Sequence, residues 1–543
     1  MEILDVKNLT FSYAGCDSAA IENISFSANE GDFIFVSGGT GSGKSTLLRA
    51  LKRELCPNGE LSGEIKILGR PRDELDVKDS ASLVGFVPQH AEEAIVTDTV
   101  SHELAFGLEN LGVSPDAIRR RAAEISAFFG MNGIYSAKTH TLSGGQKQML
   151  VLASVMIMRP KILLLDEPTS ELDPVAVGDF TSMLSRINRE LGTTIILSEH
   201  RLESALYLSN KMLTLDGGRE LYFGGVREAV FDTASHGKFS DMPASVKIFM
   251  QTGGVSEEDM PITIAEGREY IRGSFGNKIK EPDATPKNES GSAALTLKNV
   301  FFRYERDGSD VLSGLDLSIR EGDCTAILGG NGAGKSTLLS VAAGLSRPYS
   351  GAVRVFGKKL TEYKNGTLYR GCISMLPQNV EACFLYSTVG EELSKCGYRD
   401  GTLGFDFEPI KNRHPYDISG GEAQLLALAK AVASSPRLLL LDEPTKGLDG
   451  EMKEIMKREL ARLKGDGVTV MLVTHDAEFA AETADVVSMI FDGKIVSSGA
   501  PREFFSENEF YTTPTARMTR GHYERAVTVG DTVTLCRKNV RVR

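Results

Sequence analysis

Phe33-Ile34-Phe35-Val36-Ser37-Gly38-Gly39-Thr40-Gly41-Ser42-Gly43-Lys44-Ser45-Thr46 is the stretch whose reading decides the fold. An apolar run leads into a loop that fits G-x-x-x-x-G-K-[ST]. A helical pattern, Thr46 to Lys52, follows it. The same grammar returns later: an apolar run from Thr325 to Leu328, then Gly329-Gly330-Asn331-Gly332-Ala333-Gly334-Lys335-Ser336, then Thr337 to Ala343. Strand, glycine-rich loop and helix in that order mark a phosphate-binding loop. Glycine is needed because backbone N–H groups must reach the phosphates with no Cβ in the way. The helix N-terminus adds a favourable dipole. Lys44 and Lys335 would supply charge to the β- and γ-phosphates, and Ser45 and Ser336 would ligate Mg²⁺.

The doubled loop sets the organisation. Length alone would suggest roughly three or four domains, but the repeat divides the 543 residues into two halves. Each half is long enough to bury a substantial core. The composition, 41% hydrophobic and 25% charged, is that of a globular chain. A net charge of −12 argues against non-specific nucleic-acid binding, which needs lysine and arginine to neutralise phosphate. Seven scattered cysteines without a C-x-x-C pair suggest no zinc or iron–sulfur framework, and they fit a reducing cytosol. Met1 to Lys7 does not read as a signal peptide. No stretch approaches the ~20 apolar residues that span a bilayer, so work at a membrane would require membrane partners.

Five further features recur in register. Tyr13 and Tyr304 each stand 31 residues before their loop lysine. Val-Pro-Gln ends at Gln89, and Leu-Pro-Gln at Gln378. Leu142-Ser143-Gly144-Gly145-Gln146 is matched by Ile418-Ser419-Gly420-Gly421-Glu422. Ile162-Leu163-Leu164-Leu165-Asp166-Glu167-Pro168 is matched by Leu438-Leu439-Leu440-Leu441-Asp442-Glu443-Pro444. Ser198-Glu199-His200 is matched by Val473-Thr474-His475. One spacing differs: Gln89 to Ser143 is 54 residues, while Gln378 to Ser419 is 41. The second half therefore lacks about one helix. The longer insert reads as helix over Val100 to Asn110 and Ile118 to Phe129.

Continuous apolar strands imply a parallel sheet buried on both faces. The expected class is α/β: two tandem P-loop NTPase domains, each with a parallel core sheet, an antiparallel β subdomain and a helical insert. Residues 1–230 would form the first domain and 231–276 its C-terminal extension, packed on the first half. Residues 277–294 would be a linker, 295–508 the second domain and 509–543 a tail, with a short strand between Tyr523 and Leu535.

The motifs suggest roles. Asp166 and Asp442 close apolar strands, where a carboxylate can hold the Mg²⁺ shell. Glu167 and Glu443 follow and face the other side of the strand end. Each can act as general base on an attacking water. His200 and His475 fall 34 and 33 residues after those aspartates, a register that favours a γ-phosphate contact over a structural role. Gln89 and Gln378 can complete the metal shell. Tyr13 and Tyr304 offer flat faces to adenine; plain core tyrosines are the alternative. Ser143-Gly144-Gly145 and Ser419-Gly420-Gly421 open amphipathic helices and make further anion-binding N-termini.

In this order the features resemble two ATP-binding-cassette ATPase domains fused in tandem, over nearly the whole chain. The resemblance implies ATP and Mg²⁺ as cofactors, ATP hydrolysis, and two domains facing head to tail with both sites competent. One site would join Lys44, Ser45, Thr46, Gln89, Asp166, Glu167 and His200 with Ser419, Gly420 and Gly421. The other would join Lys335, Ser336, Thr337, Gln378, Asp442, Glu443 and His475 with Ser143, Gly144 and Gly145. Asp173 and Asp449 match the family's crossing loop. Glu422 departs mildly from the commoner glutamine, and the two sites read as chemically alike.

Thr99-Val100-Ser101-His102-Glu103-Leu104-Ala105-Phe106-Gly107-Leu108-Glu109-Asn110 resembles the segment after the glutamine in energy-coupling-factor transporter ATPases. Ser198 to Glu203, Met242-Pro243, Pro261-Ile262-Thr263 and Phe510-Tyr511-Thr512-Thr513 are similar to that group too. The resemblance implies an integral-membrane coupling protein and a substrate-capture membrane protein for a vitamin or metal ion. The chain would sit on the cytoplasmic face of the membrane through them. Glu92, Glu93 and Glu381 would meet arginines of the coupling protein; solvated loop acids are the alternative. A soluble twin-cassette factor acting on ribosomes, or the ATPase of another class of ATP-binding-cassette importer, is the alternative. Such factors have a long charged connector and often lack the histidine, whereas this chain has both histidines and a short linker.

Overall fold

Runs of Val, Ile, Leu and Phe only five residues long become strands in which every residue is buried: Phe33–Ser37, Ile162–Asp166 and Thr194–Ser198 in the first half, and Cys324–Leu328, Leu438–Asp442 and Thr469–Val473 in the second. Burial on both faces requires helices on both sides of a parallel sheet. The computed structural model describes residues 1–16, 18–199, 202–236, 240–283, 291–364 and 366–540. The chain divides into two units. One comprises Met1–Pro243 with Ser256–Ile262; the other comprises Ala244–Val255 and the chain from Thr263 onward.

In the first unit the parallel strands run in the order Val84–Val87, Ile162–Asp166, Thr194–Ser198, Phe33–Ser37, Lys211–Asp216. Arg219–Gly225 continues the sheet antiparallel and is joined at Glu22 to the antiparallel ribbon of Ile21–Asn29, Glu2–Tyr13 and Gly59–Ile67. The second unit repeats the order with Ile373–Leu376, Leu438–Asp442, Thr469–Val473, Cys324–Leu328 and Val486–Phe491, followed by antiparallel Lys494–Gly499. Its antiparallel sheet of Leu312–Arg320, Ala293–Phe302, Ser350–Val355 and Lys358–Lys359 is separate. In both units one strand separates the loop strand from the strand that ends in the aspartate. Ligand groups collect at the C-terminal ends of such strands.

The inserts differ as their lengths require. The first contains Val100–Asn110 and Pro115–Phe128. Thr99 caps the former by accepting from the His102 N–H, and Val100, Leu104 and Leu108 turn its buried face inward. Among the described residues, the second insert has a single α-helix, Val389–Cys396, capped by Thr388.

Two expectations need correction. The segment after residue 243, expected on the first half, belongs largely to the second unit. Ala244–Gln251 and Ile264–Ser274 pack with Pro514–Thr519 and Val529–Lys538 around Ala244, Ile248, Ile271, Phe275, Met518 and Leu535. The packing is close at Gly267, where a Cβ would lie 2.4 Å from the Met518 sulfur. The short strand expected within 523–535 is instead mostly helix. Thr528 and Asp531 form a capping box, and Val533 and Cys536 are buried at helical spacing. The expected linker begins tied down: the Lys538 ammonium reaches Asp283 at 2.8 Å and the Ile279 N–H donates to Asn539. Residues 284–290 of it lie outside the described set.

Leu535 is fully buried in the helical cluster. Leu535→Ala should destabilise the second unit by about 2–5 kcal/mol, measured by denaturant unfolding, with nucleotide affinity retained in the folded fraction.

Candidate active site

The loop strand Phe33–Ser37 feeds residues 38–43, and the helix Lys44–Leu51 starts on Gly43. Gly43 has φ 93°, and a Cβ on Gly38 would lie 2.4 Å from the Ser42 hydroxyl. Only glycine satisfies both the sign of φ and the close approach. The Lys44 ammonium folds back to donate to the Gly38 and Gly39 carbonyls at 2.7 and 3.1 Å. Lys335 does the same to Gly329 and Gly330 at 2.9 and 3.1 Å. Tyr13 and Tyr304 stand over the start of the loop helix, each sharing a 2.9 Å hydrogen bond with the hydroxyl of Thr46 or Thr337. Tyr304 is 70% exposed and Tyr13 37%, so both keep an open ring surface.

The aspartates are buried at their strand ends. The Ser45 hydroxyl donates to Asp166 Oδ1 at 2.9 Å, and the Ser198 hydroxyl, on the intervening strand, donates to the same oxygen at 2.9 Å. Burial still pushes the Asp166 carboxyl up, against these two bonds. In the second unit the position of Ser198 is Val473, which has no hydroxyl. The Ser336 hydroxyl bonds the Asp442 carboxylate, but Oδ1 is buried with no hydrogen-bond partner. Burial, with the neighbouring Glu443 charge, pushes Asp442 to about 6. The two sites, read as chemically alike in sequence, therefore differ at Ser198 and Val473, a matched position to which the sequence reading gives no role. Ser198 was visible only as the letter before the glutamate and histidine.

Glu167 and Glu443 have φ 45° and 50°, a left-handed conformation that a non-glycine side chain rarely adopts. Strain of this kind persists where the surroundings enforce it. Here the Glu167 N–H is fixed to the Ser198 carbonyl at 3.0 Å and the Glu443 N–H to the Val473 carbonyl at 2.9 Å. Gln89 Nε2 donates to Glu167 Oε2 at 3.3 Å, and Lys44 lies 3.9 Å from the other oxygen. Glu443 meets His475 Nδ1 at 2.9 Å. Burial works against its charge, and the hydrogen bond and charge of His475, helped by Lys335, outweigh it and hold the carboxyl below its ordinary value. Gln378 is exposed, so it is the histidine that meets this glutamate. His200 lies outside the described residues.

Ser143 and Ser419 cap Gly144–Met156 and Gly420–Ala433 with complete capping boxes. Ser419 also gives its hydroxyl hydrogen to Glu422 at 2.8 Å. Gly145 and Gly421 let the next helix approach: a Cβ would lie 3.1 Å from Ala176 Cβ or 2.9 Å from Met452 Cγ. Asp173 and Asp449 are the N-caps of those helices.

A magnesium nucleotide fits these residues. The loop would not tolerate a Cβ, the Ser42 hydroxyl is buried without a partner, and so is one oxygen of Asp442. The loop N–H groups and lysine suit phosphate, and the serine and aspartate suit a hard cation. Bound Mg²⁺ neutralises phosphate charge. The glutamates sit beside that position, where each can accept a proton from water.

Fold and site together define a pair of P-loop domains built for nucleotide hydrolysis. The ABC transporter family model matches residues 21–170 and 312–446. A Bacillus anthracis protein provisionally named as an ABC transporter ATP-binding protein is 38% identical over 549 residues, covering 99% of this chain and 98% of its own. A similarly named Methanosarcina acetivorans protein is 33% identical, over 93% of this chain and 87% of its own. A chain in the crystal structure of archaeal ribosomal stalk protein aP1 with archaeal ribosome recycling factor aABCE1 aligns with TM-score 0.58 at 19% identity, over 92% and 91% of the two chains. That last likeness is one of fold alone. The chain belongs to the ABC transporter family. It is an ATPase that uses ATP with Mg²⁺. Among the described residues, no helix is long and apolar enough to cross a membrane.

The unequal support of the two aspartates gives a test. Ionising Asp442 is harder in the folded chain than in the unfolded one, so its charge opposes folding. The penalty is absent below about pH 4, grows up to about pH 6 and is constant above, where two units correspond to about 3 kcal/mol. Asp442→Asn should therefore raise the melting temperature of the nucleotide-free chain at about pH 8, more than Asp166→Asn does, while weakening Mg²⁺-dependent ATP binding roughly tenfold or more. Calorimetry with and without Mg²⁺-ATP reads both effects.

Proposed function

We propose that this chain is the ATP-hydrolysing energy-coupling subunit of an energy-coupling-factor importer for a vitamin or a transition-metal ion. The observation that carries the reading is the segment after Gln89. Its resemblance to that group covers Thr99 to Asn110, which folds as the capped helix Val100–Asn110. Immediately before it, Ala91–Ala94 carries Glu92 and Glu93 on an exposed turn. Glu381 is exposed at the matching place in the second unit. Large apolar residues stand exposed nearby in both units: Val96 and Phe106 in the first, Leu385, Tyr386 and Tyr416 in the second. Exposed apolar side chains among acids suit a partner segment that is apolar and basic. An integral-membrane coupling protein would supply it, and a capture protein beside it would select the cargo. The chain then works at the cytoplasmic face of the membrane.

Both sites are proposed to be competent, each completed by the signature Ser-Gly-Gly of the other half. Glu167 and Glu443 are the bases, His475 orients Glu443, and Ser45, Gln89 and Asp166, with Ser336, Gln378 and Asp442, hold the metal. ATP binding would favour closure and hydrolysis would reopen it.

Glu167→Gln and Glu443→Gln, made singly, should each keep ATP binding and lower the steady-state ATPase rate, since a general base contributes roughly 10²–10⁴-fold at its site. An unchanged rate in either variant would remove that site from the catalytic pair. Glu92→Lys with Glu93→Lys should release the membrane partner during detergent purification while nucleotide binding persists. Unchanged co-purification, read by mass spectrometry of the retained membrane chains, would sink the docking assignment.

A further inference from the structure

Two buried carboxylates lie outside the nucleotide sites, at matching places in the two inserts. Glu103 is 4% exposed and Glu392 is wholly buried. Each occupies the fourth position of the helix that follows the glutamine segment, one turn beyond its threonine cap. Each accepts from two successive backbone N–H groups of the loop just before that helix. Glu103 takes the N–H groups of Val96 and Thr97 at 3.1 and 2.8 Å and the Thr97 hydroxyl at 2.9 Å. Glu392 takes the N–H groups of Leu385 and Tyr386, the latter at 2.7 Å, and forms an ion pair with Lys430.

The arrangement is unusual in its chemistry. Burying a carboxylate is unfavourable unless several donors meet it, and a loop at a surface could satisfy its N–H groups with water. Surroundings have diverged while the bonds have not: the position of Lys430 is Ser154 in the first half. What both carboxylates hold in common is one exposed aliphatic step. Val96 is 65% exposed and Leu385 is 78% exposed. In the first unit the loop is further pinned, since the Thr139 hydroxyl donates to the Thr97 carbonyl at 2.8 Å and the Thr139 N–H to the Asp98 carbonyl at 2.9 Å. An exposed apolar side chain on a fixed backbone loses little freedom when it is covered, which is how a surface anchor gains affinity.

We infer that Glu103 and Glu392 are positioning residues for docking of the membrane subunit, each clamping its loop so that Val96 and Leu385 stand preformed as apolar anchors for a helical segment of that subunit. The inference rests on the membrane-partner reading above. Charge selects the occupant: Glu93 and Glu381 are exposed on the adjoining turns, and Glu92, itself exposed, faces Lys147. The segment that covers the anchors therefore carries basic residues beside its apolar ones.

The test measures binding of the full chain to inside-out vesicles of the source cell's membrane, stripped of peripheral proteins, by sedimentation. Hydrogen exchange at residues 96–97 and 385–386 is read on the same samples. Glu103→Ala and Glu392→Ala should each speed exchange at their own loop and weaken sedimentation roughly tenfold, at thermal midpoints within a few degrees of the parent. Glu103→Gln, whose amide oxygen can still accept both N–H groups, should restore binding. Val96→Ser and Leu385→Ser should weaken binding with no change in exchange. Unaltered binding in the serine variants overturns the anchor assignment while leaving the membrane-partner reading intact. Faster exchange with full binding overturns the clamp. Equal binding to protease-treated vesicles overturns it in favour of a lipid surface. A parent chain that does not sediment at all overturns this inference and the membrane-partner reading together.

Discussion

A carboxylate at the end of a fully buried strand is the constraint on which each site depends. Water is excluded there, so the acid must be held by hydroxyls or meet a cation. The parallel strand order decides which hydroxyls can reach it. The loop strand lies two places from the aspartate strand, and the intervening strand can offer one side chain between them. In the first unit that side chain is Ser198, and Asp166 Oδ1 receives two hydrogen bonds. In the second it is Val473, and one oxygen of Asp442 is left without a partner. The glutamate that follows inherits the same crowding. Its backbone turns left-handed because its N–H is fixed to the neighbouring strand, and that turn brings its side chain to Gln89 and Lys44 in one unit and to His475 in the other.

Much of this could be read before any coordinates. Glycine loops, apolar strands and the two acids are short, local and dictated by sterics and burial, so they are written contiguously. The helix over Val100 to Asn110 is legible at its observed bounds because its apolar spacing lies within it and its cap, Thr99, directly precedes it. What could not be read depended on distant neighbours. Nothing local marks Ser198 as a partner for Asp166, thirty-two positions away. The tail is weakly patterned in sequence, and the capping box at Thr528 makes a helix where a short strand is expected. The segment after residue 243 is amphipathic in either setting; only the apolar surface of Met518 and Leu535 tells where it packs.

Divergence between the halves is concentrated away from the glycine loops. Both loops keep their lysine-to-carbonyl geometry within a few tenths of an ångström. The insert, by contrast, has lost a helix in the second half while keeping the buried glutamate and its two backbone bonds. ATP hydrolysis places the same demand on both glycine loops, whereas the surfaces of the inserts need not match.

The C-terminal helical cluster has a consequence in time. Ala244, Ile248, Ile271 and Phe275 are covered by Met518, Tyr523 and Leu535, which leave the ribosome some 240 residues later. At 5–20 residues per second, that separation is on the order of tens of seconds. During each round of synthesis the earlier pair of helices must wait with its oily side uncovered, so this stretch is where a nascent chain would meet a chaperone or a wrong neighbour. A protein made as one polypeptide thus completes this cluster only when the helix Val529–Lys538 has emerged.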